Sequence, residues 1–230
     1  NYNIYIKYLL TIIAIIPTGL LLIMQPDIGQ TLLVFLSWAI LVFISGINLL
    51  FILLFISFAI LVLLYLVFFI PKFIYIKSRI LSFFNPDGGT HNFQSDKAIE
   101  AISSGGFFGK GIGEGTLKTR VPEAHTDYIV SVISEEFGVV AIILLLILFL
   151  FFIYTVFKKI DLEKNEKIKL VLTGTISLII FQALIHLGVN IRLFPTTGMT
   201  LPFLSYGGSS IIGVSILSGI ILNLTKRKIN

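Results

Sequence analysis

The chain has 230 residues, of which 56% are hydrophobic and only 13% are charged, and its mean hydropathy is +1.00. An ordinary soluble domain carries about a quarter charged residues, so this composition excludes the soluble globular class. The lack of cysteine excludes disulfides, thiol nucleophiles and cysteine-ligated metal sites, and the net charge of +5 is scattered between apolar runs, which argues against nucleic-acid binding.

Roughly six apolar runs are long enough to cross a bilayer, which needs about 20 mostly apolar residues. They lie at residues 5–24, 30–47, 49–70, 139–157, 169–189 and 199–224. The first run is too long for a signal peptide and lacks a small-residue cleavage site. The sequence therefore predicts an all-α, multi-pass membrane protein in three parts: helices in 1–70, a large loop in 71–138, and helices with a short tail in 139–230. Because the chain opens at Asn1 without Met, we expect further spans upstream.

The basic residues predict the direction of the spans. Basic segments follow the fourth run, at 158–167, and the sixth run, at 226–228, and two spans separate them. Short basic loops stay on the cytoplasmic side, so both segments are expected inside and the 71–138 loop outside. The same orientation places Lys7 inside and the loop from Arg192 to Gly198 outside.

The external loop begins with a pattern typical of an amphipathic helix. Lys72, Lys77 and Arg79 are interspersed among Phe, Tyr and Ile residues up to position 84. The pattern fits an interfacial anchor, and it also leaves open that Lys77 or Arg79 binds a lipid-linked phosphate. Residues 85–89 are predicted to end this helix as a turn.

A second helix and a glycine-rich segment follow. Apolar residues at helical spacing predict a short helix from Gln94 to Ser104, which Gly105 and Gly106 end. Four further glycines then alternate with other residues between 109 and 115. This spacing is neither a phosphate-binding loop nor a dinucleotide motif, so no nucleotide is expected. Such glycines allow either close approach of a ligand or a tight turn.

The segment from Pro122 to Asp127 is the strongest candidate for chemistry in the loop. Glu123, His125 and Asp127 alternate there, with Lys118 and Arg120 just upstream. In one interpretation Thr126 or Asp127 only caps the helix that follows. In a second, Asp127 and its neighbours form a reaction centre at the membrane surface. In a third, Glu123, His125 and Asp127 ligate a hard divalent cation such as Mg²⁺ or Mn²⁺.

Polar residues in the last two spans indicate a buried or water-lined region. Gln182 and His186 lie four residues apart on one helical face, which fits interhelical hydrogen bonds or, alternatively, a proton or substrate pathway. Prolines and glycines break the start of the sixth span, and irregular backbone at membrane depth is tolerated only beside protein or a water-filled cavity. We expect Arg192 and residues 205–210 to face the same external cavity as Asp127. The predicted cavity-lining residues are Gln182, His186, Ser205, Tyr206 and Ser209.

Four motifs together resemble those of the SEDS family of bacterial cell-wall proteins, the FtsW, RodA and SpoVE group. They occur at Gln25–Thr31, Gly105–Gly113, Pro122–Tyr128 and Pro195–Ser210, in the family's order and with similar spacing. The Pro-Glu-Ala-His-Thr-Asp and Met-Thr-Leu-Pro forms look more like the division members, of the FtsW type, than the elongation members. Family members have about ten spans, so the resemblance implies that this chain carries the last six.

The resemblance implies a peptidoglycan glycosyltransferase that polymerises lipid II outside the bacterial inner membrane, at the division septum. It implies a class B penicillin-binding transpeptidase and other division proteins as partners. Asp127 matches the family's functional loop aspartate and would be the general base. A basic residue, with or without a divalent cation and without a nucleotide, would offset the charge of the leaving diphosphate. The candidates are Arg79, Lys97, Lys110, Lys118, Arg120 and Arg192.

Two other functions stay open at this point. A lipid II flippase would depend more on Gln182, His186 and the broken sixth span than on Asp127. A noncatalytic scaffold that only recruits the transpeptidase would depend on neither set.

Overall fold

The computed structural model describes residues 4–84 and 90–226, and every regular element within them is a helix. This confirms the predicted all-α class. The helices are α1 (Ile4–Met24), α2 (Ile28–Ile44), α3 (Leu49–Phe69), α4 (Ile74–Phe84), α5 (Thr90–Gly105), α6 (Ile129–Leu162), α7 (Glu166–Asn190) and α8 (Gly208–Thr225). Short 3-10 turns occupy Pro71–Phe73 and Lys118–Arg120. The turn predicted at 85–89 and the last residues of the basic tail lie outside the described residues.

Four helices, α3, α6, α7 and α8, are long and apolar enough to cross a membrane. Two shorter apolar helices, Leu9–Met24 within α1 and Ile28–Ile44, account for the first two predicted spans. Large apolar side chains stand exposed on these helices, as expected where lipid replaces water. The chain is therefore a multi-pass membrane protein. The predicted start of the last span at 199 is wrong, because residues 199–207 fold as an irregular segment and α8 begins only at Gly208.

The chain folds as two compact units, Asn1–Ile80 and Leu81–Asn230. In the first unit, Val67, Phe73 and Ile76 form the buried core between α3, the following 3-10 turn and α4. Asp27 caps α2 there, since its carboxylate accepts the Gln30 amide at 2.9 Å.

The second unit carries the Pro122–Asp127 segment. An apolar cluster lies where α6, α7 and α8 meet and is formed by Val156, Leu172, Ile176, Ile179 and Ile221. Burial of such side chains contributes about 1.5–3 kcal/mol each, so this cluster holds the three helices against one another.

Helix α6 is interrupted at Gly138, whose φ of 74° and ψ of −175° are not helical. The break lies one residue before the predicted start of the fourth span at 139. The amides of Val139 and Val140 leave the helical pattern and instead donate to the carbonyls of Gly106, at 3.0 Å, and Phe107, at 3.2 Å. The glycine-rich loop thus replaces the hydrogen bonds that the break removes.

The predicted orientation can be tested with single cysteines, because the chain contains none of its own. Asn165, at the α6–α7 turn, and Thr119, in the loop predicted to be external, are both exposed. We expect an impermeant thiol reagent to label Thr119→Cys but not Asn165→Cys in intact cells, and both after the membrane is opened. Labelling of Asn165→Cys alone in intact cells would reverse the topology.

Candidate functional site

The segment from Val121 to Tyr128 forms a compact turn ahead of α6. The carbonyl oxygen of Glu123 accepts the amides of Thr126, Asp127 and Tyr128 at 3.2, 3.0 and 3.3 Å. Glu123 itself has a φ of 53°, in a region that non-glycine residues rarely adopt. The side chains of Val121, Ala124 and Tyr128 are buried and anchor the turn in the protein interior. The turn is thereby closed by its own backbone hydrogen bonds and held by buried apolar side chains.

Asp127 stands partly exposed at the end of this turn. Its carboxylate faces Gly198, where an added Cβ would lie 3.6 Å from Asp127 Oδ2. Helix α6 begins at Ile129, and its N-cap residue is Tyr128, whose side chain makes no capping hydrogen bond. Tyr128 therefore occupies the N-cap position predicted for Thr126 or Asp127, because α6 begins two residues after Asp127.

The end of α7 and the segment between α7 and α8 together hold the turn through three successive main-chain carbonyls. The amide of Tyr206 donates to His125 O at 2.9 Å, and the hydroxyl of Ser205 donates to Thr126 O at 2.7 Å. At the end of α7, Asn190 Nδ2 donates to Asp127 O at 2.9 Å. Since each carbonyl is fixed from outside the turn, the position of Asp127 is set by the long-range fold and not by local sequence alone.

One stripe along α7 fixes this segment in turn. Gln182, His186 and Asn190 recur every four residues and all three are buried. His186 Nδ1 lies 2.7 Å from the carbonyl oxygen of Met199, and Gln182 Nε2 donates to the carbonyl of Thr200 at 3.0 Å. Gln182 also donates to the Ser210 hydroxyl of α8 at 3.2 Å, which is the predicted interhelical bond, whereas the His186 contact is to the irregular segment before α8. A proton or substrate pathway through them stays a prediction.

The other predicted cavity residues differ in their surroundings. Ser205 is buried, and besides binding Thr126 it accepts the Leu201 amide at 2.8 Å. Tyr206 is 77% exposed and Ser209 is also exposed. Of these three residues, Tyr206 and Ser209 therefore present exposed side chains.

Two residues of the 191–207 segment carry unusual backbone conformations. Arg192 has a φ of 57° and Phe203 a φ of 68°, both outside the range favoured by non-glycine residues. With Glu123, they place three such residues in the two segments that meet at Asp127. Strain of this kind, which costs on the order of 1–3 kcal/mol per residue, concentrates at functional sites.

Three of the predicted diphosphate-binding residues already bind a carboxylate. Lys110 Nζ lies 3.1 Å from Glu135, whose side chain is fully buried and also accepts the Leu117 amide at 2.9 Å. Arg192 pairs with Asp96 of α5. Lys97 lies 2.5 Å from Glu100 on the same helix, and this hydrogen bond lowers the pKa of the Glu100 carboxyl. Loss of Lys110 would leave the buried Glu135 carboxylate without its partner, which is costly, so Lys110 stabilises the fold.

The remaining three diphosphate-binding candidates lie in the 3-10 turn before the Asp127 turn or in the first unit. Arg120 is exposed in the 3-10 turn that precedes the Asp127 turn. Arg79 belongs to the first unit, where its guanidinium lies 4.4 Å from the Tyr75 ring centre. Lys118 begins the same 3-10 turn as Arg120, and its side chain lies outside the described parts of the chain.

The three-residue cation site is not formed. Across residues 4–84 and 90–226, no group of three His, Asp or Glu side chains is close enough to hold a metal ion. Glu123 instead accepts a hydrogen bond from the Thr126 hydroxyl at 2.9 Å. Binding of a divalent cation by fewer protein ligands together with substrate oxygens stays a prediction.

Sequence reasoning missed two buried polar residues that support the site, Asn190 and Glu135. Asn190 continues the four-residue spacing of Gln182 and His186, and this periodicity is the signal that finds it. Glu135 reads as an ordinary helix-surface acid, and no local pattern reveals that Lys110 and the Leu117 amide enclose it.

Asn190→Ala is expected to lower the free energy of unfolding by about 1–3 kcal/mol, because the carbonyl of Asp127 then loses its buried donor. Thermal unfolding of the detergent-purified protein measures the change. Asn223→Ala, at an exposed position of α8, is the matched control and should leave stability unchanged. Equal stability of the two variants would show that Asn190 does not hold the turn.

Comparison with known families and proteins gives a consistent result. The FtsW/RodA/SpoVE family, described as a cell cycle protein family, matches residues 2–230. The probable peptidoglycan glycosyltransferase FtsW of Caulobacter vibrioides is 36% identical over 225 residues, which cover 97% of this chain and 55% of that protein. The protein of the same name from Buchnera aphidicola subsp. Schizaphis graminum is 37% identical over 211 residues, 89% of this chain and 59% of that protein. The chain thus spans little more than half the length of these relatives.

Two solved structures share the fold. A chain of a peptidoglycan synthase complex that coordinates polymerization and crosslinking aligns with a TM-score of 0.73 and 28% identity, covering 95% of this chain and 60% of that chain. A mutant of the rod shape determining protein RodA of Thermus thermophilus aligns with a TM-score of 0.62 and 26% identity, covering 98% and 58%.

Proposed function

Because the chain belongs to the FtsW/RodA/SpoVE family, we propose that the protein is a peptidoglycan glycosyltransferase that polymerises lipid II. The observation that carries the proposal is the placement of Asp127. Its carboxylate is partly exposed on a turn whose three carbonyls are fixed by α7 and by the segment before α8. A general base needs such a position, reachable by substrate and fixed in direction.

In the proposed reaction Asp127 accepts the proton of the acceptor sugar hydroxyl. The hydroxyl oxygen attacks the anomeric carbon of the donor sugar, a glycosidic bond forms, and the bond from that carbon to the lipid diphosphate breaks. The diphosphate leaves with the electron pair of the broken bond. No nucleotide takes part, because the diphosphate already activates the donor. General-base assistance of this kind typically contributes about 100- to 10,000-fold in rate.

The leaving diphosphate needs a nearby positive charge. Arg120 is the best candidate in the second unit, because it is exposed on the 3-10 turn immediately before the Asp127 turn. Lys110 and Arg192 are already engaged with Glu135 and Asp96. A divalent cation held partly by the diphosphate oxygens would supply the same stabilisation of developing charge.

The flippase alternative receives less support from the contacts. It requires Gln182 and His186 to serve a polar path within the membrane. Both side chains are buried and bind the carbonyls of Met199 and Thr200. These contacts fit a structural role, in which the two residues hold the neighbouring segment in place. The scaffold alternative does not explain why the Asp127 carboxylate lies on a turn that long-range hydrogen bonds hold in place.

A location in the bacterial inner membrane and a penicillin-binding transpeptidase partner are part of the same proposal. Their support is the membrane-spanning helices and the likeness to a chain of a peptidoglycan synthase complex. The division septum and other division proteins follow from the similarity to FtsW proteins.

The deciding experiment supplies labelled lipid II to the purified protein in vesicles and follows two products. Glycan strands, separated by gel electrophoresis, are the expected result. Transfer of lipid II between leaflets without strands would establish the flippase instead. If neither product forms but the protein still binds the transpeptidase, the scaffold function would be supported.

A further inference from the structure

The glycine-rich loop after α5 carries an exposed apolar tip formed by Phe107, Phe108 and Ile112. Their side chains are 75%, 85% and 79% exposed. Single exposed apolar residues are common on proteins, but three large ones in six residues form a patch that ordinarily meets another apolar surface.

The backbone of this apolar tip is fixed to α6 on both sides of the Gly138 break. Before the break, the carbonyl of Glu135 accepts the Lys110 amide at 2.9 Å, and that of Glu136 accepts the Gly111 amide at 3.1 Å. After it, the Val139 and Val140 amides donate to the carbonyls of Gly106 and Phe107. These hydrogen bonds therefore fix the position of the tip along α6.

The tip is bonded to α6 at the position where the helix sequence changes from polar to apolar. Glu135 and Glu136 stand just before the break, and an almost unbroken apolar run begins at Val139. Val140 and Leu144 point outward on this run and are exposed, as lipid-facing residues of a span are. The tip is thus bonded to the first residues of the lipid-facing surface.

Charged side chains border the tip where it joins the polar part of α6. Lys110 binds Glu135, and Glu136 accepts the Gly113 amide at 3.2 Å, so both acids lie beside the loop. Aromatic side chains below a charged rim are the arrangement of an interfacial anchor.

We infer that Phe107, Phe108 and Ile112 insert into the bilayer at the boundary between headgroups and acyl chains, and that the external loop is thereby anchored to the membrane surface beside α6. The inference is independent of the proposed enzymatic function. It assigns the glycine-rich motif a membrane-docking role in place of ligand binding.

The single tryptophan of the chain, Trp38, makes a fluorescence test possible. In a Trp38→Phe background, Phe108→Trp reports on the tip, Phe151→Trp on the exposed apolar face of α6, and Lys164→Trp on water at the α6–α7 turn. Each protein is reconstituted into phosphatidylcholine vesicles that contain lipids brominated either near the headgroup or near the chain end.

We expect Phe108→Trp to emit at shorter wavelength than Lys164→Trp and to be quenched about twofold more by the shallow bromine than by the deep one. Phe151→Trp should show the opposite depth preference, and aqueous iodide should quench only Lys164→Trp strongly. Phe107→Trp supplies an independent second reporter should Phe108→Trp fold poorly. Iodide quenching of both tip reporters equal to that of Lys164→Trp would overturn the inference and leave a protein partner as the occupant.

Discussion

Asp127→Asn is expected to lower the rate of glycan polymerisation by about 100- to 10,000-fold while lipid II binding changes little. The amide keeps the shape and the hydrogen-bonding reach of the carboxylate but cannot accept the proton of the acceptor hydroxyl. The structure sharpens this test, because α6 begins at Ile129 with Tyr128 as its N-cap. Asn is also as good an N-cap residue as Asp, so a loss of activity cannot be assigned to a lost helix cap.

The measurement is strand formation from labelled lipid II, with binding followed separately. Asp161→Asn makes the same chemical change at an exposed position at the end of α6 and should polymerise normally. Recovery of the Asp127→Asn rate at raised Mg²⁺ or Mn²⁺ would indicate a ligand role instead of a base. Near-normal rates at every cation concentration would remove Asp127 from the chemistry altogether.

Gly138→Ala is expected to lower the stability of the folded chain strongly. The φ of 74° and ψ of −175° at this position belong to a region that is essentially restricted to glycine, at a cost on the order of 1–3 kcal/mol for other residues. An added Cβ would also lie 2.3 Å from Phe107 O, a distance that real Cβ atoms do not show, so the loop would have to move. We expect the unfolding temperature in detergent to fall by roughly 2–12 °C or more.

Gly219→Ala is the control for this prediction. Gly219 lies within α8, and an added Cβ there would meet no atom within 4 Å. Alanine is the better helix former by about 1 kcal/mol, so stability should hold or rise. If Gly138→Ala unfolds at the same temperature as Gly219→Ala, the break in α6 is not a fixed feature of the folded chain.

Periodicity and composition predicted most of the fold. Apolar runs located the membrane helices to within a few residues in most cases, and the spacing from Gln94 to Ser104 located the helix α5 that ends at Gly105. The exception was the start of α8, where Met199 and Leu201 are apolar because they are buried inside the protein and not because they continue a span. Apolar character alone does not distinguish these two environments.

The candidate site was predicted only in part. The alternation of Glu123, His125 and Asp127 indicated a segment that the structure forms as a compact turn, but it also suggested a shared cation site that the described residues do not form. Asn190 lies 63 residues away in sequence from the carbonyl it binds. Contacts between a side chain and a distant main-chain oxygen leave no pattern of residue types at the acceptor, so sequence alone does not predict them.

The way the Asp127 turn is held has a consequence for how its sequence can change over evolutionary time. The outside contacts at positions 125, 126 and 127 are made to carbonyl oxygens, which every amino acid possesses. A substitution at His125 or Thr126 therefore alters the chemistry presented beside Asp127 without removing the bonds that locate it. Selection acting on such a turn can adjust substrate preference one side chain at a time while the backbone stays in register.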